Sequence, residues 1–154
     1  MLTGTREQKG AALLVRLKGP VDERANFEQV FGEVPLEVQV SCKEVTRINT
    51  AGMRAWIKFF HGLQARGIKI LLREVAFPIV EQINQTPDFA AGCAIESVLT
   101  HFVCPACKSE LVGVFRIEDL RKNKLQMPEV KCSKCGGKAI FDDLPEECFA
   151  FLLR

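Results

Sequence analysis

The chain has 154 residues, of which 47% are hydrophobic, and its formal net charge is +2. This length suits one ordinary domain, or one domain with a small metal-held module, and the apolar content excludes a disordered chain. No apolar run is long enough to span a bilayer or to form the core of a secretory signal. We therefore expect a cytoplasmic protein whose thiols are reduced.

The first hundred residues alternate between strand and helix patterns. Residues 1–10 are polar and predict a frayed terminus. Alternating apolar positions predict strands over residues 13–17, 36–42, 68–72 and 94–103. Cap and stop residues predict three helices, which begin at Asp22, at Asn49 or Thr50, and at Pro78, and which end at Gly32, Gly67 and Pro87. This order predicts an α/β fold, and the polar alternate positions of 36–42 predict helices on one face of its sheet.

Two C-x-x-C pairs are the strongest motif in the chain. Cys104 and Cys107 form the first pair, and Cys132 and Cys135 form the second. Four thiolates complete a tetrahedron around zinc and leave no open position, so the motif predicts a structural Zn²⁺ rather than a catalytic one. A disulfide framework is the alternative, and the odd count of seven cysteines disfavours it.

Short β-like runs surround the cysteine pairs. They cover residues 111–117 and 139–141, with a loop at 125–129 between them, and residues 143–154 predict a short C-terminal helix. We therefore predict two domains, an α/β domain over residues 1–101 and a zinc ribbon with a short helix over residues 102–154.

Three segments of the first domain resemble the STAS domain, the fold of bacterial anti-sigma factor antagonists and stressosome scaffolds. Residues 17–22 (LKGPVD) resemble the end of a STAS strand, residues 36–49 resemble the central strand, and residues 49–53 (NTAGM) resemble the signature that opens the second helix. Residues 63–70 also resemble the passage from that helix to the next strand. The resemblance covers about residues 11–100 and implies a STAS-like sheet in a regulatory protein.

The same resemblance implies a binding surface for a protein partner, which would be an anti-sigma factor, a kinase or another STAS protein. The implied surface comprises Asp22, Asn49, Thr50, Ala51, Gly52, Met53 and Arg54. In the family, the serine before the signature glycine is phosphorylated, but Ala51 stands there and Asn49 replaces the family's aspartate. Thr50 is the one neighbouring hydroxyl, and it is either a helix-capping or inward-facing polar group or a phosphosite. We expect permanent unphosphorylated behaviour at position 51.

The remaining reactive side chains carry no catalytic pattern. His61 and His101 lack a neighbouring nucleophile, and Cys42, Cys93 and Cys148 lie among apolar residues and read as buried small hydrophobes. We therefore expect a non-enzymatic scaffold that engages no membrane, and the sequence leaves open a homo-oligomer.

The alternative function is a nucleic-acid-associated zinc ribbon. Two basic clusters motivate it, and they comprise Arg121, Lys122 and Lys124, and Lys131, Lys134 and Lys138. A zinc ion held by four thiolates would bring the net charge to about zero, which disfavours phosphate binding.

Overall fold

The computed structural model describes residues 1–90 and 92–153, so Ala91 and Arg154, the last residue of the predicted ribbon, lie outside it. The first sheet contains strands β1 (Thr3–Lys9), β2 (Ala12–Val21), β3 (Glu37–Ile48), β4 (Lys69–Arg73) and β5 (Ala94–Ile95). Between these strands lie helices α1 (Phe27–Phe31), α2 (Thr50–Ala65) and α3 (Phe77–Gln85). The predicted mixed α/β class is confirmed.

A second sheet follows in the chain. Its strands are β6 (Ser97–Val103), β7 (Glu110–Arg116), β8 (Val130–Lys131) and β9 (Lys138–Phe141). They are accompanied by helices α4 (Ile117–Lys122) and α5 (Pro145–Cys148) and by a 3-10 turn over Ala150–Leu153.

The two sheets differ in strand direction. The first has the order β1-β2-β3-β4-β5, in which β1 runs antiparallel to β2 and every other neighbouring pair is parallel. The second has the order β7-β6-β9-β8 and is antiparallel throughout. Parallel neighbours need crossover connections, and the helices between β2, β3, β4 and β5 supply them.

The core lies against one face of the first sheet. Val38 and Val40 of β3 are buried and belong to the same apolar cluster as Trp56 and Phe60 of α2. The other face is mixed, since Arg73 of β4 donates to Gln39 of β3 at 3.0 Å and pairs with Glu96 at 3.2 Å, while Leu14 opposite Gln39 is buried. Burying an aromatic side chain fully is worth about 1.5–3 kcal/mol. The face that packs against Trp56 and Phe60 therefore carries much of the stabilisation of the first sheet.

Several sequence predictions near the N-terminus are wrong. Residues 3–9 form an edge strand instead of a frayed end, because Gly10 adopts φ 59° and turns the chain back onto β2. The strand predicted over residues 13–17 is also longer, because β2 extends to Val21. The cap of α1 is Asn26 rather than Asp22, and its side chain accepts from the Gln29 N–H at 3.1 Å.

The predicted strand over residues 94–103 is two strands in different sheets. Glu96 separates them, and its N–H donates to Leu72 O of the first sheet while its carbonyl accepts from Ile117 N–H. Helix α4, which contains Ile117, was not predicted at all. Strand β6 crosses the predicted domain boundary between residues 101 and 102. Phe149 of the predicted second domain also belongs to the same apolar cluster as the core of the first sheet. Whether the two predicted domains fold independently stays a prediction.

Candidate functional site

The four predicted metal ligands meet at one end of the second sheet. Cys104 and Cys107 follow β6, and Cys132 and Cys135 lie between β8 and β9. Their four Sγ atoms all lie within 4.8 Å of one another. The antiparallel pairing of β6 with β9 brings the two pairs together, although they are far apart in sequence.

The sulfur spacing fits a tetrahedral metal ion. Sγ of Cys104 lies 3.4 Å from Sγ of Cys135, and Sγ of Cys107 lies 3.6 Å from Sγ of Cys132. Four thiolates at the usual Zn–S bond length would be about 3.8 Å apart, whereas a disulfide would need about 2.05 Å. The arrangement can therefore hold a metal ion, and it does not contain disulfides.

The two turns that carry the cysteine pairs have the same backbone hydrogen bonds. We call residues 104–109 the first knuckle and residues 132–137 the second knuckle. In the first, Cys104 N–H donates to Ser109 O at 2.9 Å, and Lys108 N–H donates to Cys104 O at 2.7 Å. In the second, Cys132 N–H donates to Gly137 O at 2.7 Å, and Gly136 N–H donates to Cys132 O at 2.9 Å.

The surroundings of the sulfurs favour thiolates unevenly. The Ser109 hydroxyl, 3.1 Å from Sγ of Cys107, and the Ser109 N–H lower the pKa of Cys107 to about 6. At Cys135 the Gly137 N–H favours the thiolate, but the sulfurs of Cys104 and Cys107 outweigh it and raise the pKa to about 12. Four thiolates this close together would repel one another, and a cation between them would offset that repulsion.

The predicted partner surface centres on the start of α2. Asn49 caps the helix, and its Oδ1 accepts from Gly52 N–H at 2.8 Å while its Nδ2 donates to Glu23 at 2.9 Å. A Cβ at Gly52 would overlap the Val21 carbonyl oxygen, so the glycine is needed where the helix crosses the end of β2. This close contact fixes the helix start against the sheet.

The predicted surface residues differ in exposure. Asn49, Thr50, Ala51 and Arg54 are exposed, Met53 is half-buried and contacts Thr86, and Gly52 is buried. Thr50 thus faces water, and the expectation that it could be an inward-facing polar group is wrong. At position 51, just before Gly52, the side chain is the methyl group of Ala51.

Asp22 lies next to this predicted surface, but its side chain is buried beneath it. Its side chain is only 3% exposed, and it accepts from Arg24 N–H at 3.0 Å and pairs with Arg24 at 3.4 Å and Arg47 at 3.5 Å. The Arg24 N–H bond and the two guanidinium groups hold the pKa of Asp22 below its usual value. Its contribution to binding would therefore be indirect, through the positions of two exposed arginines.

A groove of about 780 Å³ adjoins this surface between α1 and α2, and the sequence patterns did not reveal it. Phe27, Phe59 and Leu63 supply apolar lining, and Glu23 links the groove to Asn49. The remaining lining includes both signs of charge, from Arg24, Glu28, Lys58 and Arg66. A pattern of helix positions cannot place two helices relative to each other, which is why the groove needed a structure.

The remaining cysteines and histidines lie apart from the metal cluster. Burial raises the pKa of Cys93 to about 11 and that of Cys148 to about 12, and it also raises that of Cys42. His61 and His101 are exposed. The predicted burial is confirmed for Cys42 and Cys148. For Cys93 it is wrong in part, because this side chain is only half-buried and its Sγ accepts from Gln64 Nε2 at 3.5 Å.

The last observations concern membrane-spanning helices and similarity to known proteins. Over residues 1–90 and 92–153, no helix combines the length and apolar character that a bilayer crossing requires. No protein-family model matches the chain, and comparison with curated proteins also gave no match.

Proposed function

We propose that this protein is a non-enzymatic, STAS-like scaffold that binds a protein partner at the start of α2 and carries a structural zinc ion. The observation that carries the proposal is an exposed helix start, at Asn49, Thr50 and Ala51, joined to an apolar groove with a charged rim. The order of strands and helices in the first sheet supports the resemblance on which the proposal rests.

The groove suits a helical or extended segment of a protein. Phe27 and Phe59 stack at 5.5 Å between ring centroids and offer an apolar wall, while Lys58 and Arg66 stand at the rim. Amphipathic segments bind such grooves through a few apolar anchors, and rim charges set their orientation. The fixed start of α2 lowers the entropy lost on binding.

Paired charge reversals test this surface. Arg54→Glu combined with Lys58→Glu should abolish recovery of the native-host partner by the full-length, metal-loaded chain, because both side chains are exposed on α2. Arg121→Glu combined with Lys122→Glu on α4 makes the same charge change elsewhere and should leave recovery intact. Equal recovery by both variants would place the interface outside α2.

The metal part of the proposal concerns zinc. Thiolate ligands and tetrahedral spacing suit Zn²⁺, and a complete set of four leaves no site for substrate or water. Metal analysis of the purified chain should therefore find about one zinc per chain. A folded second sheet without any bound metal would rule out the structural role.

The proposal also concerns phosphorylation. Ala51 cannot accept phosphate, so a partner that recognises the unphosphorylated state would bind constitutively. A cognate kinase and ATP should leave the intact mass of the native chain unchanged and add one phosphate to Ala51→Ser. A phosphate gained by the native chain and lost in Thr50→Val would contradict constitutive binding, since exposed Thr50 could then serve as the phosphosite.

The nucleic-acid alternative gains no specific support from the structure. Lys138 of the second basic cluster lies 3.5 Å from Glu129, which offsets its charge. A DNA shift assay at two salt concentrations separates the two functions, since strong salt-dependent binding would favour the alternative.

A further inference from the structure

Strand β7 is an open edge of the second sheet. In the described part of the chain it pairs with β6 alone and ends the order β7-β6-β9-β8. Its seven residues read ELVGVFR, without the lysine, proline or bulge that commonly protects such an edge. Its unpaired backbone groups therefore offer a template for another strand.

Apolar side chains are exposed on one face beside this edge. Val112 and Val114 are 58% and 48% exposed, and Ile140 of β9, which lies beyond β6, is 61% exposed. The registers Val112 opposite His101 and Ile140 opposite Val103 place these side chains on the same face of the sheet. Water thus contacts the two valines of the edge strand itself, and the exposed His101 of β6 lies on the same face between them and Ile140.

The sequence of β7 is complementary to itself when it is reversed. In an antiparallel pair centred on Gly113, Glu110 of one copy faces Arg116 of the other, and Val112 faces Val114. Each contact occurs twice by symmetry, as in an isologous dimer interface. Leu111 would face Phe115 on the opposite side of the same pair.

Other registers lack this match. A twofold axis perpendicular to the sheet keeps each side chain on its own face, so the pair must be centred on a residue. Centring on Val114 would place Glu110 opposite Glu118 and Val112 opposite Arg116. Centring on Val112 would place Glu110 opposite Val114. Opposite charges across a strand pair are favourable and like charges are unfavourable, which selects Gly113.

We propose that the partner at this edge is a second copy of the chain, joined by antiparallel pairing of the two β7 strands about Gly113. The pairing makes one continuous sheet from two four-stranded ones and brings the valines of the two copies into cross-strand contact. Arg116 is free to change partner, because its contact with Glu118 is 3.7 Å long and exposed. This interface lies in the second sheet and does not depend on the function proposed for α2.

A charge-exchange experiment tests the interface and its register. The full-length, zinc-loaded chain should show a mass twice the 17.2 kDa of one chain in light scattering and sedimentation. Glu110→Arg alone, or Arg116→Glu alone, creates two like-charge contacts and should raise the dimer dissociation constant by about tenfold or more. The double variant Glu110→Arg with Arg116→Glu restores both contacts and should recover dimerisation. Glu33→Arg, an exposed change outside the sheets, is the matched control.

A measurement on the native chain covers the case in which a variant fails to fold. Hydrogen exchange of the β7 amides should be slower at high protein concentration than after dilution, while the β1 amides at the edge of the other sheet should not change. A native chain that stays monomeric at every concentration overturns the proposal. The proposal is also overturned if the single charge reversals leave the dimer dissociation constant unchanged, or if the double variant does not recover dimerisation.

Discussion

The two knuckles have the same hydrogen bonds but use different residues at their tightest point. Gly136 adopts φ 75° in the second knuckle, and Lys108 adopts φ 60° at the matching position of the first. A side chain in this left-handed conformation costs about 1–2 kcal/mol, which glycine avoids. The comparison shows that two hydrogen bonds and the cysteine cluster are compatible with the turn even where the residue disfavours it.

The knuckles are also alike in burial. In each, the first cysteine is buried and the second is exposed. Cys104 and Cys132 therefore attach the cysteine cluster to the sheet, while Cys107 and Cys135 face water. We expect the same substitution at the corresponding cysteines of the two knuckles to change stability by a similar amount. Substitutions at Lys108 and Gly136, the residues with positive φ, should change stability in different directions.

The largest effect is expected at the buried ligands. Cys104→Ser and Cys132→Ser should each abolish zinc binding and lower the free energy of unfolding of the second sheet by roughly 3–5 kcal/mol. Zinc content and urea unfolding followed by hydrogen exchange measure this. The fluorescence of Trp56, the one tryptophan, should stay that of a buried side chain because it reports the first sheet. If only one of the two variants lost zinc, the knuckles would not be equivalent.

A smaller loss is expected at the glycine of the second knuckle. Gly136→Ala should lower the free energy of unfolding by about 1 kcal/mol, because a Cβ there is strained by φ rather than crowded, its nearest neighbour being Lys131 Cε at 3.7 Å. Urea titration at saturating zinc measures the change. Gly62→Ala is the control, since a Cβ inside α2 would meet nothing within 4 Å and should stabilise the chain by about 0.5–1 kcal/mol. If Gly136→Ala and Gly62→Ala changed the free energy of unfolding in the same direction, the positive φ of Gly136 could not explain its effect.

The smallest effect is expected at the matching position of the first knuckle. Lys108→Gly should raise the free energy of unfolding by about 0.5 kcal/mol, because relief of the left-handed strain exceeds the added entropy of the unfolded chain. Lys134→Gly lies in the second knuckle at a residue without positive φ and should lower stability instead. The same urea titration measures both, and a stabilising Lys134→Gly would show that lysine removal, not φ, is responsible.

The sequence predicted features that depend on local residues. The cysteine spacing predicted which four side chains would meet, because two C-x-x-C pairs supply the four ligands of one tetrahedral site, and the structure brings these four together. Local chemistry also predicted Asn49 or Thr50 as the cap of α2 and Gly32 as the end of α1, and the structure has Asn49 as the cap and Gly32 at the end of α1. These features need little knowledge of the rest of the chain.

Features that depend on distant contacts were missed. The polar segment of β1 looked frayed because an edge strand can be exposed on most of its residues and still gain backbone hydrogen bonds from β2. The change of sheet at Glu96 was invisible because both β5 and β6 contain apolar residues. The groove beside α2 depends on how two helices pack, which periodicity cannot specify.

The pairing of β6 with β9 has a consequence for synthesis of the chain. A ribosome releases the N-terminal end first, so every strand from β1 to β4 emerges before Cys104. Cys107 then waits while the 25 positions up to Cys132 are added. If zinc binds as proposed, its fourth ligand, Cys135, is added only after that delay, and the strands β1 to β4 emerge before the proposed site can be completed. The earlier thiols meanwhile have no second pair from their own chain, and a shortage of zinc during synthesis would leave them open to oxidation.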